Sequence, residues 1–256
     1  MRRDVLDLRA FYANPLGEAA RSAISRQVRL AWGEARGLAI LGLGYATPFL
    51  ARFMPTAERI AIAMPAGQGV ELWPEGARNL ACLADETALP FSAAQFDRAL
   101  VVHALEECDA PDRLLAEAAR VLKPNGRLIV VAVNRRSLWA GADGTPFGHG
   151  RPYTRRQLEM AIVHAGLQPR AWSRALYAPP WPAVAGLSDM IEQAGSRLQA
   201  PGAGLLLMEA EKQVFAVRPK ARLARVVVPA LRPATAFPAG SGARKSNPSS
   251  HETLAS

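Results

Sequence analysis

The stretch Leu38-Ala-Ile-Leu-Gly-Leu-Gly-Tyr-Ala-Thr-Pro48 decides the fold. Its first four residues are apolar and predict a short strand, and Thr47-Pro48 predicts a helix start, because proline is favoured at the first helical position. Gly42 and Gly44 lie between the two elements. Glycine there lets the main chain approach a ligand closely, and the start of the helix offers free N–H groups. The stretch therefore predicts a ligand-binding turn.

The rest of the first 217 residues alternates between strands and helices. Further strands are predicted at 60–64, 79–83, 96–102 and 127–133, with a closing pair at 168–178 and 204–217, and helices at 4–13, 16–32, 47–53, 111–122, 154–165 and 183–198. This alternation is typical of a doubly wound, mainly parallel α/β sheet, here of seven strands with a closing antiparallel strand. Such sheets bind ligands at the carboxyl ends of their strands, beside the first strand.

We divide the chain into three parts. Residues 1–35 are N-terminal helices that we expect to cover the site, residues 36–217 form the main domain, and residues 218–256 are a tail rich in Pro, Ala, Ser and basic residues that we expect to be disordered. The tail has seven basic residues against Glu252 alone, so it carries +6 of the net charge of +9. A charged tail affects solubility and weak acidic partners rather than the fold. Its only aromatic residue, Phe237, gives little support to base stacking, so nucleic acid stays a lesser alternative partner.

Composition and the chain start exclude several classes of protein. Cys82 and Cys108 are too few for a disulfide framework and predict reduced, buried thiols in a cytoplasmic protein. The first 17 residues carry acids within their apolar stretch, which is not typical of a signal peptide. No run reaches the roughly 18 apolar residues that a membrane span needs. The four histidines and two cysteines lack the spacing of metal ligands, so we predict no metal site.

The middle of the chain contains three short motifs. They are Ala84-Asp-Glu-Thr-Ala-Leu-Pro-Phe91, then Phe96-Asp97, then Arg120-Val-Leu-Lys-Pro-Asn-Gly-Arg127. A nicotinamide cofactor is disfavoured, because Thr47 stands where a dinucleotide fingerprint needs glycine and residues 61–64 contain no acid to bind a ribose. The motifs resemble the class I S-adenosylmethionine-dependent methyltransferases, especially the branch similar to ubiquinone and menaquinone C-methyltransferases. The resemblance covers roughly residues 36–217.

The resemblance implies a Rossmann-like fold, S-adenosylmethionine as cofactor and a set of site residues. Gly42, Leu43 and Gly44 would cradle the methionine part of the cofactor, and Asp85 would accept a hydrogen bond from the adenine amine. Glu86 would lie beside Asp85, and Leu89 would help to wall the base. His103, just past the fourth strand, would lie near the transferring methyl group.

The sequence leaves two interpretations open for several aromatic and basic residues. Tyr45 could stand over the pocket or fill it, and Tyr12 could cap the cofactor or be buried against the sheet. The glycine-rich segment 147–153 could be a substrate lid carrying His149, Arg151 and Tyr153, or an ordinary connecting loop. We take His103 and Tyr153 as the candidate catalytic residues.

The sequence also departs from the pattern of the family. Ile40 stands where an acid usually precedes the glycine loop, Ala46 replaces the third glycine, and residues 61–64 lack the ribose-binding acid. Gln68 and Glu71 could substitute for that acid, although both follow Pro65. Three hypotheses result: a methyltransferase acting on a small molecule, a catalytically inactive module that binds a partner protein or a metabolite, and an RNA methyltransferase. Oligomeric state is not readable from the sequence.

Overall fold

A computed structural model describes residues 3–198 and 200–213. The helices are α1 (Val5–Tyr12), α2 (Pro15–Trp32), α3 (Thr47–Leu50), α4 (Pro111–Val121), α5 (Arg155–His164) and α6 (Ser188–Leu198), and the strands are β1 (Ala39–Gly44), β2 (Arg59–Pro65), β3 (Ala81–Ala84), β4 (Phe96–Val102), β5 (Leu122–Val133), β6 (Gln168–Ala175) and β7 (Leu205–Glu211). Short 3-10 segments follow α3 and precede α6. The elements match those predicted from the sequence, with ends that differ by a few residues. The tail, with its predicted disorder, lies outside the described residues.

The seven strands form one sheet in the order β3-β2-β1-β4-β5-β7-β6. Only β7 runs antiparallel to its neighbours, β5 and β6, among the strands that the structure describes. The doubly wound, mainly parallel fold with a closing antiparallel strand is therefore confirmed. The strand order reverses between β1 and β4, and this is the switch point at which such sheets bind ligands.

Helices cover both faces of the sheet. Helices α1, α2 and α3 contribute to a core cluster on one face, and α4 and α5 contribute to a cluster on the other. Helix α2 buries Ala20, Ile24 and Val28 along one stripe, and the Asn14 side chain caps its start by accepting from the Gly17 N–H. Within the described ranges no helix is long and apolar enough to cross a membrane.

The end of helix α4 binds the segment that follows β3, and so connects two of the sequence motifs. The Arg120 guanidinium donates to the main-chain oxygens of Leu89 and Phe91, and the Glu117 carboxylate accepts from the Leu89 N–H at 2.8 Å. Glu117 and Arg120 also pair with each other. The Leu-Pro-Phe segment after β3 is therefore fixed by charged hydrogen bonds from the end of α4.

The Phe-Asp motif has a similar structural role. The Asp97 carboxylate accepts from the Ala39 N–H at 2.9 Å and from the Lys123 ammonium at 2.7 Å. It therefore ties the start of β1 to the residues that enter β5. Asn125 follows in the left-handed region with φ of 61°, which asparagine tolerates better than most residues.

These contacts predict a pH-dependent role for Asp97 in stability. Burial opposes ionisation of this carboxyl, but the hydrogen bonds from Lys123 and Ala39 outweigh burial and lower its pKa. A lowered pKa contributes stability above the unfolded value of about 3.9, and the contribution is lost as pH falls through the folded pKa. Asp97→Asn should lower the free energy of unfolding by about 1–2 kcal/mol at pH 7 in urea titrations.

The difference between wild type and Asp97→Asn should shrink as the pH is lowered below about 4. Glu75→Gln, an exposed acid in the loop before β3, is the matched control and should leave stability unchanged. A difference that stays the same from pH 7 to the acid range would contradict the assignment.

Candidate functional site

The glycine loop ends β1 at the switch point. Gly44 has φ of +81°, and a Cβ built there would lie 2.2 Å from the Val102 carbonyl oxygen at the end of β4. A Cβ at Gly42 would lie 2.7 Å from the Ile62 side chain on β2. The Tyr45 N–H donates to the Val102 oxygen at 2.9 Å. Gly44 is therefore needed for the close approach to the end of β4, and Gly42 leaves room for neighbouring side chains.

Four aromatic rings lie over this loop, and we call them the aromatic cover: Tyr12, Tyr45, His103 and Phe147. The Tyr12 ring from α1 stacks on Tyr45, with centroids 5.7 Å apart and an interplanar angle of 14°. The Tyr12 hydroxyl lies 2.7 Å from His103 Nε2, and the Phe147 ring lies 5.0 Å from the His103 ring. All four side chains are buried. The cover joins α1, the glycine loop and the loops after β4 and β5.

His103 is a neutral imidazole held in a constrained backbone position. Its φ is 52°, and burial lowers its pKa to about 3. Neutral imidazole has one donor and one acceptor nitrogen, so Nε2 can accept from the Tyr12 hydroxyl. The Gln68 amide, itself buried, donates from Nε2 to the His103 carbonyl oxygen at 3.1 Å. No partner is found for Gln68 Oε1 among the described residues.

The glycine loop is buried in this conformation. Every residue from 39 to 47 has little accessible surface, whereas the walls of a ligand cavity are accessible. The rings of the aromatic cover pack beside the end of β1, where the resemblance would put the methionine part of an adenosyl cofactor. This part of the site fits the cofactor only if the Tyr12 ring moves away.

An open cavity lies beside the loop, past the ends of β3 and β4. Its volume is about 450 Å³, and it is lined by Gly67, Asp85, Glu86, Thr87, Glu107, Cys108, Asp109 and Ala110. We call it the acidic cavity. Asp85 is exposed, and hydrogen bonds from the hydroxyl and N–H of Thr87 to its Oδ1 lower its pKa. Ionised carboxylates accept hydrogen bonds, so this part of the site fits an adenine amine.

The structure brings some predicted site residues together and separates others. Gly42, Gly44, Tyr45 and His103 meet at the end of β1, and Asp85 and Glu86 line the acidic cavity. Leu43 and Leu89 are buried in the core on the α4 side. Neither of these two side chains lines the acidic cavity.

Tyr153 and the His103 ring pack against different core clusters. Tyr153 packs against the α4-side core and exchanges main-chain hydrogen bonds with the end of β5 and the residues after it, whereas the His103 ring contacts the α1 side. Burial, and then the charge of Glu106, raise the Tyr153 pKa to about 12. Glu71 lies near the glycine loop, where its carboxylate accepts from the Thr47 hydroxyl at 3.0 Å. Its negative charge adds to burial in raising the Tyr45 pKa.

Sequence reasoning missed Arg3 and Glu107. The Arg3 N–H donates to Glu107 Oε2 at 2.7 Å, and the Arg3 guanidinium donates to the Asp143 carbonyl oxygen at 3.1 Å. No motif or spacing marks these contacts, because the residues are more than 100 positions apart. Within residues 3–198 and 200–213, no group of three His, Cys, Asp or Glu residues could hold a metal ion.

Comparison with known proteins finds similarity to methyltransferases over part of the chain. Residues 42–130 match the family model of a methyltransferase domain. A ubiquinone/menaquinone biosynthesis C-methyltransferase of Acidiphilium cryptum is 43% identical over 53 residues, which are 21% of each chain. A malonyl-(acyl-carrier protein) O-methyltransferase of Methylococcus capsulatus is 26% identical over 166 residues, 61% of this chain and 60% of that protein. The matches to the C-methyltransferases thus span about a fifth of those relatives.

Solved structures agree in fold. A Thermotoga maritima S-adenosylmethionine-dependent methyltransferase, possibly a histamine N-methyltransferase, superposes with a TM-score of 0.59 at 20% identity, covering 82% of this chain and 96% of that one. The (4+2)-cyclase SpnF superposes with a TM-score of 0.52 at 25% identity, covering 74% and 81%. Residues 42–130 are therefore similar to a methyltransferase domain, and the described fold is one also seen in S-adenosylmethionine-dependent methyltransferases.

The buried state of His103 predicts that acid destabilises the protein. Its pKa of about 3 lies below the unfolded value of about 6.5, so the unfolded state takes up the proton first. Stability from this group is therefore complete above about pH 6.5 and declines as pH falls toward 3. We expect His103 to account for about 2 kcal/mol of lost unfolding free energy between pH 7 and pH 5.

Urea titrations at both pH values test this expectation. His103→Gln keeps an acceptor for the Tyr12 hydroxyl but does not titrate, so its stability should fall less between the two pH values. His164→Gln, at the last turn of α5, is the control and should follow wild type. An equal decline in the His103→Gln variant would show that His103 is not the titrating group.

Proposed function

We propose that this chain is an S-adenosylmethionine-dependent methyltransferase acting on a small molecule. The observation that carries the proposal is the acidic cavity, which lies at the carboxyl ends of β3 and β4 beside the glycine loop. Ligands of doubly wound sheets bind at this edge. The Burkholderia thailandensis 1,6-didemethyltoxoflavin-N1-methyltransferase, solved with its substrate and S-adenosylhomocysteine, shares the fold at a TM-score of 0.50 and 21% identity. That neighbour acts on a small molecule, which supports the same substrate class here.

Each residue of the proposed site has a distinct task. The cofactor would supply a methyl group bound to a positively charged sulfur. Asp85 and Glu86 would accept hydrogen bonds from its adenine, and the main chain at Gly44 would lie against its methionine part. Alignment of donor and acceptor supplies most of the acceleration of a methyl transfer, so a dry and well-shaped site matters more than acid–base chemistry. His103 follows the end of β4, but burial lowers its pKa to about 3, so its imidazole is a weak base in this conformation.

A catalytically inactive module is the second candidate. The filled volume above the glycine loop favours it, and so does Ile40, which packs into the apolar core where the family pattern has an acid. The fold neighbour SpnF is a cyclase, so this fold also supports chemistry other than methyl transfer. A module of this kind would bind a partner protein or a metabolite without transferring a methyl group.

Isothermal titration with S-adenosylhomocysteine separates the two candidates. The enzyme proposal expects binding to wild type and about ten-fold weaker binding to Asp85→Ala, which removes the acceptor of the adenine amine. Asp112→Ala, an exposed acid at the start of α4, is the control and should bind like wild type. An absence of both heat and thermal shift at millimolar ligand would reject the enzyme proposal.

A further inference from the structure

We infer that helix α1 competes with the cofactor, because Tyr12 occupies the space above the glycine loop that the methionine part of the cofactor needs. Helix α1 must therefore undock before the cofactor binds. The inference rests on the proposed function and adds a built-in inhibitory contact to it. Its distinguishing feature is that α1 and the cofactor exclude each other, rather than α1 closing over a bound cofactor.

Helix α1 is tied to the loops that surround the site. The Arg3 N–H binds Glu107 after β4, and the Arg3 guanidinium binds the Asp143 carbonyl after β5. The Val5 N–H donates to the Gln68 carbonyl oxygen after β2 at 2.8 Å. The Tyr12 hydroxyl reaches His103 at the other end of the helix. Both ends of α1 are thus held at the carboxyl edge of the sheet, directly over the glycine loop.

The packing distinguishes an inhibitory contact from a lid. A lid that closes over a ligand encloses a cavity when the ligand is absent. Here Tyr12 stacks on Tyr45 of the loop itself, with its other edge against Phe49 at 5.5 Å, and the loop beneath is fully buried. Because the Tyr12 and Tyr45 rings are in contact and the loop beneath them is buried, a ligand group cannot lie between Tyr12 and the loop while α1 is docked.

The docked helix leaves one polar group unsatisfied. Gln68 is 1% exposed, and its Oε1 finds no donor among the residues described, while its main-chain oxygen is taken by α1. A buried acceptor without a donor disfavours the state that buries it. When α1 undocks, the Gln68 amide can accept a hydrogen bond from water or from a ligand hydroxyl. The free energy of that hydrogen bond offsets part of the free energy that α1 loses with its contacts. The docked state is therefore displaceable.

Hydrogen–deuterium exchange of the full chain tests the competition directly. Addition of S-adenosylhomocysteine should increase amide exchange in residues 5–12, because bound ligand keeps α1 undocked. A helix that closes over the ligand would show slower exchange in the same segment. The sign of the change therefore separates the two arrangements and does not depend on enzymatic activity.

Tyr12→Phe provides the second measurement. The variant keeps the ring but loses the hydrogen bond to His103, so docking weakens and S-adenosylhomocysteine should bind about five- to ten-fold more tightly. Leu6→Ala, an exposed position on the same helix, is the matched control and should bind like wild type. Arg3→Ala removes a side-chain anchor outside the core and should shift binding in the same direction as Tyr12→Phe.

The possible outcomes distinguish a failure of this inference from a failure of the proposed function on which it rests. Ligand binding with slower exchange in α1, or with no gain in affinity for Tyr12→Phe, would overturn the inference and leave the methyltransferase proposal standing. A failure of wild type and of Tyr12→Phe to bind S-adenosylhomocysteine would overturn both. Tighter binding by the variant together with faster α1 exchange in wild type is the expected result.

Discussion

The close approach of β1 to β4 at Gly44 is the constraint on which the site depends. The Val102 carbonyl oxygen lies where a Cβ of residue 44 would be, and it accepts the Tyr45 N–H instead. This contact turns the chain sharply after β1 and directs Tyr45 toward the α1 side. The position of Tyr45 in turn gives Tyr12 a ring to stack on. One missing side chain thus determines where the main chain turns and what can cover it.

Charged side chains hold the rest of the framework in register around that contact. Arg120 and Glu117 fix the main chain of the Leu-Pro-Phe segment, and Asp97 joins the starts of β1 and β5 through Ala39 and Lys123. These bonds are charge-assisted, and such bonds are stronger than neutral ones. The motifs that resemble a methyltransferase are therefore largely motifs of strand placement. They hold the strands in place without the cofactor-binding acids that this sequence lacks.

Burial governs the chemistry at the carboxyl ends of the strands. The same packing that fills the space over the glycine loop holds His103 neutral and leaves the Gln68 amide half satisfied. The acidic cavity stays open because its lining is polar and reaches solvent at Asp85. The two halves of the site thus differ physically, one being dry and filled and the other wet and accessible.

The sequence by itself determined the strand–helix order and the Gly42–Gly44 turn, because both depend on local periodicity, proline and glycine. The resemblance of its motifs to methyltransferases also implied Asp85 and Glu86 as cofactor contacts, and both line the acidic cavity. Only the tertiary structure decided that Tyr12 stacks on Tyr45, that Arg3 reaches Glu107 and that Tyr153 and His103 pack against different core clusters. Those contacts join residues 33 to 104 positions apart, or depend on which face of the sheet a loop crosses. Local sequence patterns carry no information about packing over such separations, and the register of α1 on the sheet is set by the fit of whole surfaces.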